Sequence, residues 1–193
     1  DLVNINGAVK VTSNKAGGSG GGLLMASQGN QVTAVLKMDS GYFAGNLAIT
    51  NEGGAMCLTT KGADKNGSYI YSGYITNNKT MTSVDYGGGG VFVTSNGGEL
   101  YVYNPLVTSN TAEGSGGGVA ACQNGIVISS DAAIFDNIAN GKSVPVNHPI
   151  GGQWPSELGF AQAENYVDGK YAASDFYGAK ESTIFNDMLS TGE

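Results

Sequence analysis

The sequence contains no arginine; all nine of its basic residues are lysines, set against sixteen acids. The resulting net charge of −7 excludes a protein that grips a phosphate backbone, because such binding needs a basic surface to displace counterions. It also leaves no polybasic surface for anionic lipid. Two cysteines are too few for a disulfide framework. No apolar run approaches the roughly 18 residues of a membrane span, and no signal-peptide pattern is visible. Charged residues make up only 13% of the chain, so serine, threonine, asparagine and glycine must form much of the surface. That uncharged polar composition suits an extracellular or cell-wall-displayed protein. The chain opens on Asp1 rather than methionine, which fits a processed product or an excised fragment.

What is abundant is glycine, with 32 residues. It lacks a strict three-residue period, which excludes collagen, and the 40% apolar content argues against disorder. The glycines belong to a repeat. An apolar–Asn signature occurs at Val11-Thr12-Ser13-Asn14, Ile49-Thr50-Asn51, Ile75-Thr76-Asn77, Val107-Thr108-Ser109-Asn110 and Ile134-Phe135-Asp136-Asn137. The asparagine spacings are 37, 26, 33 and 27 residues, an average of about 31. The first four signatures precede the glycine runs Gly20–Gly22, Gly53–Gly54, Gly87–Gly90 and Gly116–Gly118. A short apolar stretch follows each run, and then a second strand after a Gly/Asn turn.

Glycine and β-branched residues oppose helix throughout. A sandwich of short strands would not require the same bend chemistry in every unit, whereas a parallel β-helix does. Each strand there pairs with its equivalent one coil away, about 4.7–4.9 Å along the axis. Identical positions stack, so a bend that needs glycine in one coil needs it in the next. Asparagines can bond amide to amide up such a column, and Asn14, Asn51, Asn77, Asn110 and Asn137 are the candidates. A single coil cannot bury its own apolar face, which is why coils occur in arrays.

Asn110-Thr111-Ala112 followed by Gly116-Gly117-Gly118-Val119, with Asn137-Ile138-Ala139 in the next coil, resembles the Asn-x-Ala…Gly-Gly-Gly repeats of bacterial surface proteins. These are right-handed β-helix adhesins, more loosely similar to polymorphic membrane proteins. The resemblance covers about residues 5–141 and departs from the pattern at Asn51-Glu52-Gly53 and Asn77-Asn78-Lys79, where the alanine is missing. It implies a secreted or wall-displayed adhesin or stalk.

The expected fold is therefore all-β: a right-handed parallel β-helix of about five coils over 1–141, then a C-terminal cap or the start of a next module over 142–193. Prolines punctuate the crossing at Pro145, Pro149 and Pro155. Ser156–Tyr166 and Ser174–Leu189 are helix-compatible, so the cap is expected to be irregular and partly helical. Thr183-Ile184-Phe185-Asn186-Asp187 echoes Ala133-Ile134-Phe135-Asp136-Asn137, which leaves an irregular sixth coil as the alternative.

Candidate chemistry is sparse. No glycine run is followed by the Lys-Ser/Thr of a phosphate loop. Cys57 and Cys122 are expected to be separate core thiols, because one intervening coil puts them beyond disulfide reach. The single histidine, His148, stands beside Pro149 in the crossing. Asp131 with Asp136, or Asp85 with Glu113, would be the pairs for glycoside hydrolysis, against the plainer reading that turn aspartates bond local amides. No metal site or cofactor is expected. Tyr69, Tyr71, Tyr101 and Tyr103 stand at i, i+2 in equivalent strands, so each pair shares one face. Facing outward they would form a ladder for sugar rings or a partner surface; facing inward they would be core. Tyr42, Tyr74 and Tyr86 would extend it.

The functional expectation is a non-enzymatic surface segment, an adhesin or stalk, with a glycan or host surface protein as partner. The alternatives are a fragment of a carbohydrate-active enzyme and a filament subunit that self-associates through its coil ends.

Overall fold

Short β-branched runs between glycine bends satisfy their backbone groups only by pairing with neighbouring runs. The computed structural model describes residues 2–26, 34–59, 67–83, 87–94, 99–122, 125–140, 144–145, 165–167, 170–172, 176–178 and 183–187. In it each run pairs in parallel with its equivalent one coil away, and the chain is an all-β parallel solenoid. No helix occurs among the described residues.

Three sheets run along the solenoid. The long sheet takes Leu2–Ile5 with Lys10–Thr12, Val35–Met38 with Tyr42–Ala44, Ser68–Thr76, Glu99–Thr108, and Ile126–Ser130 with Ala133–Phe135. A narrow sheet stacks five two-residue strands: Lys15–Ala16, Leu47–Ala48, Lys79–Thr80, Thr111–Ala112 and Ile138–Ala139. The third sheet follows the glycine bends with Leu23–Ala26, Met56–Thr59, Val91–Thr94 and Val119–Cys122.

Because the register is parallel, the core is a set of columns. Met38, Ile70 and Val102 form one column. Phe43, Ile75, Val107 and Ile134 form another. Met25, Leu58, Val93 and Ala121 form a third. All are buried. The third column shrinks from Met to Ala along the axis, and the coil shortens at its end. Three turns of 32 residues lead from Asn14 to Asn110, and the next, to Asn137, takes 27.

That corner asparagine corrects the expected ladder. The column is Asn14, Asn46, Asn78, Asn110 and Asn137, buried from Asn46 onward; Asn51 and Asn77 lie outside it and are exposed. Each Asn in the column offers its Oδ1 to the backbone N–H and the Nδ2 of the asparagine one coil before, as Asn78 does for Asn46 at 3.0 and 2.9 Å. Its own Nδ2 reaches a carbonyl of that earlier coil, Phe43 O for Asn78 at 2.9 Å. The residue before each ladder asparagine turns the corner in the left-handed region: Ser13, Gly45, Asn77, Ser109 and Asp136, with φ of 54–65°. Asn77 is therefore a corner residue and Asn78 the ladder residue. Asn51 follows the narrow strand rather than preceding one.

Two further expectations are corrected. Three regular turns replace the about five coils expected, since five rungs bound fewer turns and the last lacks a third side of its own immediately after it. The chain supplies that side later. Phe176–Gly178 pairs with Val119–Ala121, and Thr183–Asp187 pairs with Ile126–Ser130. The stretch Ser174–Leu189, expected to be helix-compatible, thus contributes two strands, because open sheet edges present unpaired backbone groups that these apolar runs can complete. The echo in 183–187 pairs with Ile126–Ser130 rather than with Ala133–Phe135. Of Ser156–Tyr166, residues 156–164 lie outside the described residues, and the last two belong to the strand Asn165–Val167. That strand joins Val144–Pro145 and Lys170–Ala172 in a small antiparallel sheet.

Candidate functional site

Strand alternation sends every second side chain of the long sheet outward. In Ser68–Thr76 the inward residues are Ser68, Ile70, Gly73 and Ile75, and in Glu99–Thr108 they are Leu100, Val102, Pro105 and Val107. Tyr69, Tyr71, Tyr101 and Tyr103 are therefore on the outside. Backbone register places Tyr101 beside Tyr69, and the rings stack. Tyr69–Tyr101 centroids are 5.0 Å apart at 12°, Tyr71–Tyr103 5.5 Å at 7°, and Tyr69–Tyr71 5.7 Å at 7°. Nearly parallel rings this close must overlap, so the inner faces of the array are spent on one another. Edges, hydroxyls and the terminal ring faces remain for a ligand. Each such pair contributes about 0.5–1.5 kcal/mol beyond burial, so the array also ties coils together from outside.

The hydroxyl of Tyr101 donates to Glu99 Oε2 at 2.8 Å. That bond to a carboxylate, with burial secondary, pushes the phenol up from 10.0 to about 12. A phenol that holds its proton more tightly when folded stabilises the fold fully below pH 10. That contribution is lost as pH rises toward 12. Glu99→Gln should return Tyr101 to an ordinary tyrosine titration, read as phenolate absorbance in the variant against the parent; an unchanged late-titrating phenol would contradict the assignment.

A second outward pair lies beyond the fold line of the sheet. Tyr42 and Tyr74 are in register, with centroids 6.1 Å apart and planes tilted by 59°. They are 36% and 54% exposed. A lysine precedes the first tyrosine in two of the columns: Lys37 stands in register with Tyr69, and Lys10 with Tyr42. The tyrosine spacing pointed to the first array. The lysines and the fold line gave no sequence signal, because they depend on which strands pair. Tyr86 lies outside the described residues.

The other candidates stand apart. Asp131 and Asp136 are exposed at left-handed bends on either side of Ala133–Phe135. Asp85 and His148 lie outside the described residues. Glu113 pairs with Lys79 at 2.5 Å and accepts from Asn140 Nδ2 at 3.4 Å. The Lys79 contact holds its carboxyl below the usual range, the wrong direction for a general acid. Cys57 and Cys122 are buried thiols in different columns: Cys57 is in register with Phe92, and Cys122 with Thr94. Burial pushes the Cys57 thiol up to about 12, against a partly opposing hydrogen bond with Ser19, and such a thiol is inert as a nucleophile. Among the described residues no cluster of three or more His, Cys, Asp or Glu could hold a metal ion.

No protein family, curated protein or solved structure matches this chain.

Proposed function

We propose that this chain is a non-enzymatic β-solenoid segment displayed outside the cell, where it acts as an adhesin on a rigid support. Its partner is a glycan or a host surface protein, met by the exterior of the long sheet. The observation that carries this reading is the outward array of Tyr69, Tyr71, Tyr101 and Tyr103 on a face held in fixed register by the ladder and core behind it. Fixed rings lose little entropy on binding, so an aromatic surface on such a scaffold is preorganised. The low charge, the few thiols and the likeness of the Asn110–Val119 segment to bacterial adhesin repeats agree with surface display.

The test is binding to arrays of glycans and host glycoproteins, comparing the parent chain with Tyr71→Ala/Tyr103→Ala. Loss of two ring contacts is expected to weaken binding about tenfold or more, with the fold retained. Equal binding by the double variant, or hydrolysis of a polysaccharide by the purified chain, would overturn the reading.

A further inference from the structure

Where the long sheet changes direction, three successive coils line a groove of about 520 Å³ with Gly7–Lys10, Ser40–Tyr42 and Ser72–Tyr74. This is the volume of a small-ligand site. The bend itself is dictated by close approach. Gly73 has φ of 116°, and a Cβ there would sit 2.6 Å from Gly41 O and 2.5 Å from Met38 Cε. Such a Cβ would enter the core, so only glycine fits this position and the strand keeps its bend.

We infer that this groove is a subsite for a carboxylate-bearing sugar residue, with Tyr42 and Tyr74 receiving the pyranose ring and Lys10 its carboxylate. This rests on the reading of the long sheet as a binding surface and narrows it to a ligand class. Three observations carry it. First, the Tyr42 and Tyr74 rings are both exposed and lie at 59° to each other, so they are not stacked face to face as the neighbouring array is. Second, register sets Lys10, Tyr42 and Tyr74 in one column at strand spacing. A cation therefore stands one strand step from the Tyr42 ring and two from the Tyr74 ring. Third, among the described residues Lys10 is the only charged one lining the groove, and it forms no ion pair there. The neighbouring acid, Asp39, lies outside the lining, and the Asn6 amide nitrogen meets it at 2.8 Å when that amide is oriented to satisfy its surroundings.

The rest of the lining is mostly small, glycines with Ala8, Ser40 and Ser72, beside the exposed Val9. Ser40 donates to Gly7 O at 2.9 Å, which leaves its own oxygen to accept from a sugar hydroxyl. Val9 is the one branched aliphatic side chain in the lining, too little to hold an apolar peptide, and one lysine on an acidic protein does not make a nucleic-acid groove. A carboxylate on a ring with an apolar face satisfies both parts of the site.

The test is titration of the chain with oligosaccharides of galacturonate, glucuronate and sialate, each beside its neutral methyl ester. At least one acid form should bind, about tenfold or more above its ester, with the preference fading as salt rises. Lys10→Gln should erase that preference. Tyr74→Ala should weaken acid and ester together, and Leu24→Ala, exposed on the third sheet, should change neither. Both groove positions are exposed, so unchanged thermal unfolding is expected in these variants. No binding by any of the three acids, equal binding of acid and ester, or a preference that survives Lys10→Gln would overturn the inference. Array binding that depends on Tyr71 and Tyr103 but not on Lys10 or Tyr74 would sink the groove site alone. Array binding that ignores Tyr71 and Tyr103 would sink the broader reading instead.

Discussion

Gly89→Ala should leave the purified chain unfolded. A Cβ at position 89 would lie 2.5 Å from Gly117 O and 2.5 Å from both the carbonyl carbon and the oxygen of Thr111. These are backbone atoms of the next coil, so no side chain can swing away to relieve the overlap. The same column crowds Gly117 against Ile138 O at 2.5 Å, and Gly21 and Gly54 against the coil that follows each. Overpacking in a core with room to adjust costs about 1–3 kcal/mol. Here the inter-coil spacing is fixed by the parallel ladder, and a cost above about 4 kcal/mol is a large share of a typical domain's stability. Two other glycines calibrate the result. Gly17 has nothing within 4 Å and no left-handed φ, so Gly17→Ala should stay within about 0.5 kcal/mol of the parent. Gly7 is equally open but has φ of 71°, so Gly7→Ala should cost about 1–2 kcal/mol from backbone strain alone. Circular dichroism and urea midpoints of the three variants check the order; a Gly89→Ala chain as stable as the Gly7 variant would refute the crowding argument.

The second large effect is at the ladder. Asn78→Ala removes the acceptor for the Asn46 backbone N–H and Nδ2, and the donor to Phe43 O and Thr76 O. Asn78 is 1% exposed, so water cannot replace those partners. Two buried donors stranded at about 1–3 kcal/mol each give an expected loss of roughly 3–5 kcal/mol. Asn51→Ala should change stability by less than about 0.5 kcal/mol, because its side chain is exposed and its carbonyl, which accepts from Thr80 Oγ1, is retained. Denaturant unfolding of the two variants decides between the 32-residue ladder and the irregular one that the Ile-Thr-Asn strings suggest. Comparable losses at Asn51 and Asn78 would contradict the register.

The same contrast shows what the sequence could and could not convey. Glycine bends were legible because their cause is local and repeated: a close approach in one coil recurs in the next, and no other residue substitutes. The ladder was only half legible. Val11-Thr12-Ser13-Asn14 and Val107-Thr108-Ser109-Asn110 show the corner plainly, but in Phe43-Ala44-Gly45-Asn46 the left-handed residue is glycine, and in Ile75-Thr76-Asn77-Asn78 it is a second asparagine. A pattern keyed to Thr-Asn passes over the first and takes the wrong residue in the second. Read as apolar, any, left-handed former, Asn, any, Ala or Thr, all five corners align, the first four at intervals of 32.

Aromatic pairs were legible as sharing a face, since alternation alone places Tyr69 with Tyr71. Which face was not, until the core columns through Ile70 and Val102 were seen to be filled. The groove was invisible at that level, because Lys10, Tyr42 and Tyr74 are neighbours only through inter-coil register. The C-terminal strands were misread for a related reason. Short apolar runs such as Thr183-Ile184-Phe185 are ambiguous between helix and strand, and the open edge of Ile126–Ser130 settles them.

The stacked register on which the ladder, the tyrosine array and the groove all depend is tested most directly by proton contacts across the long sheet in a nuclear Overhauser spectrum. Parallel coils predict backbone contacts at sequence separations of 32, joining Met38 to Ile70, Ile70 to Val102, and Tyr42 to Tyr74. Close Hα–Hα pairs of antiparallel strands at these residues, or the absence of the three named contacts, would contradict it.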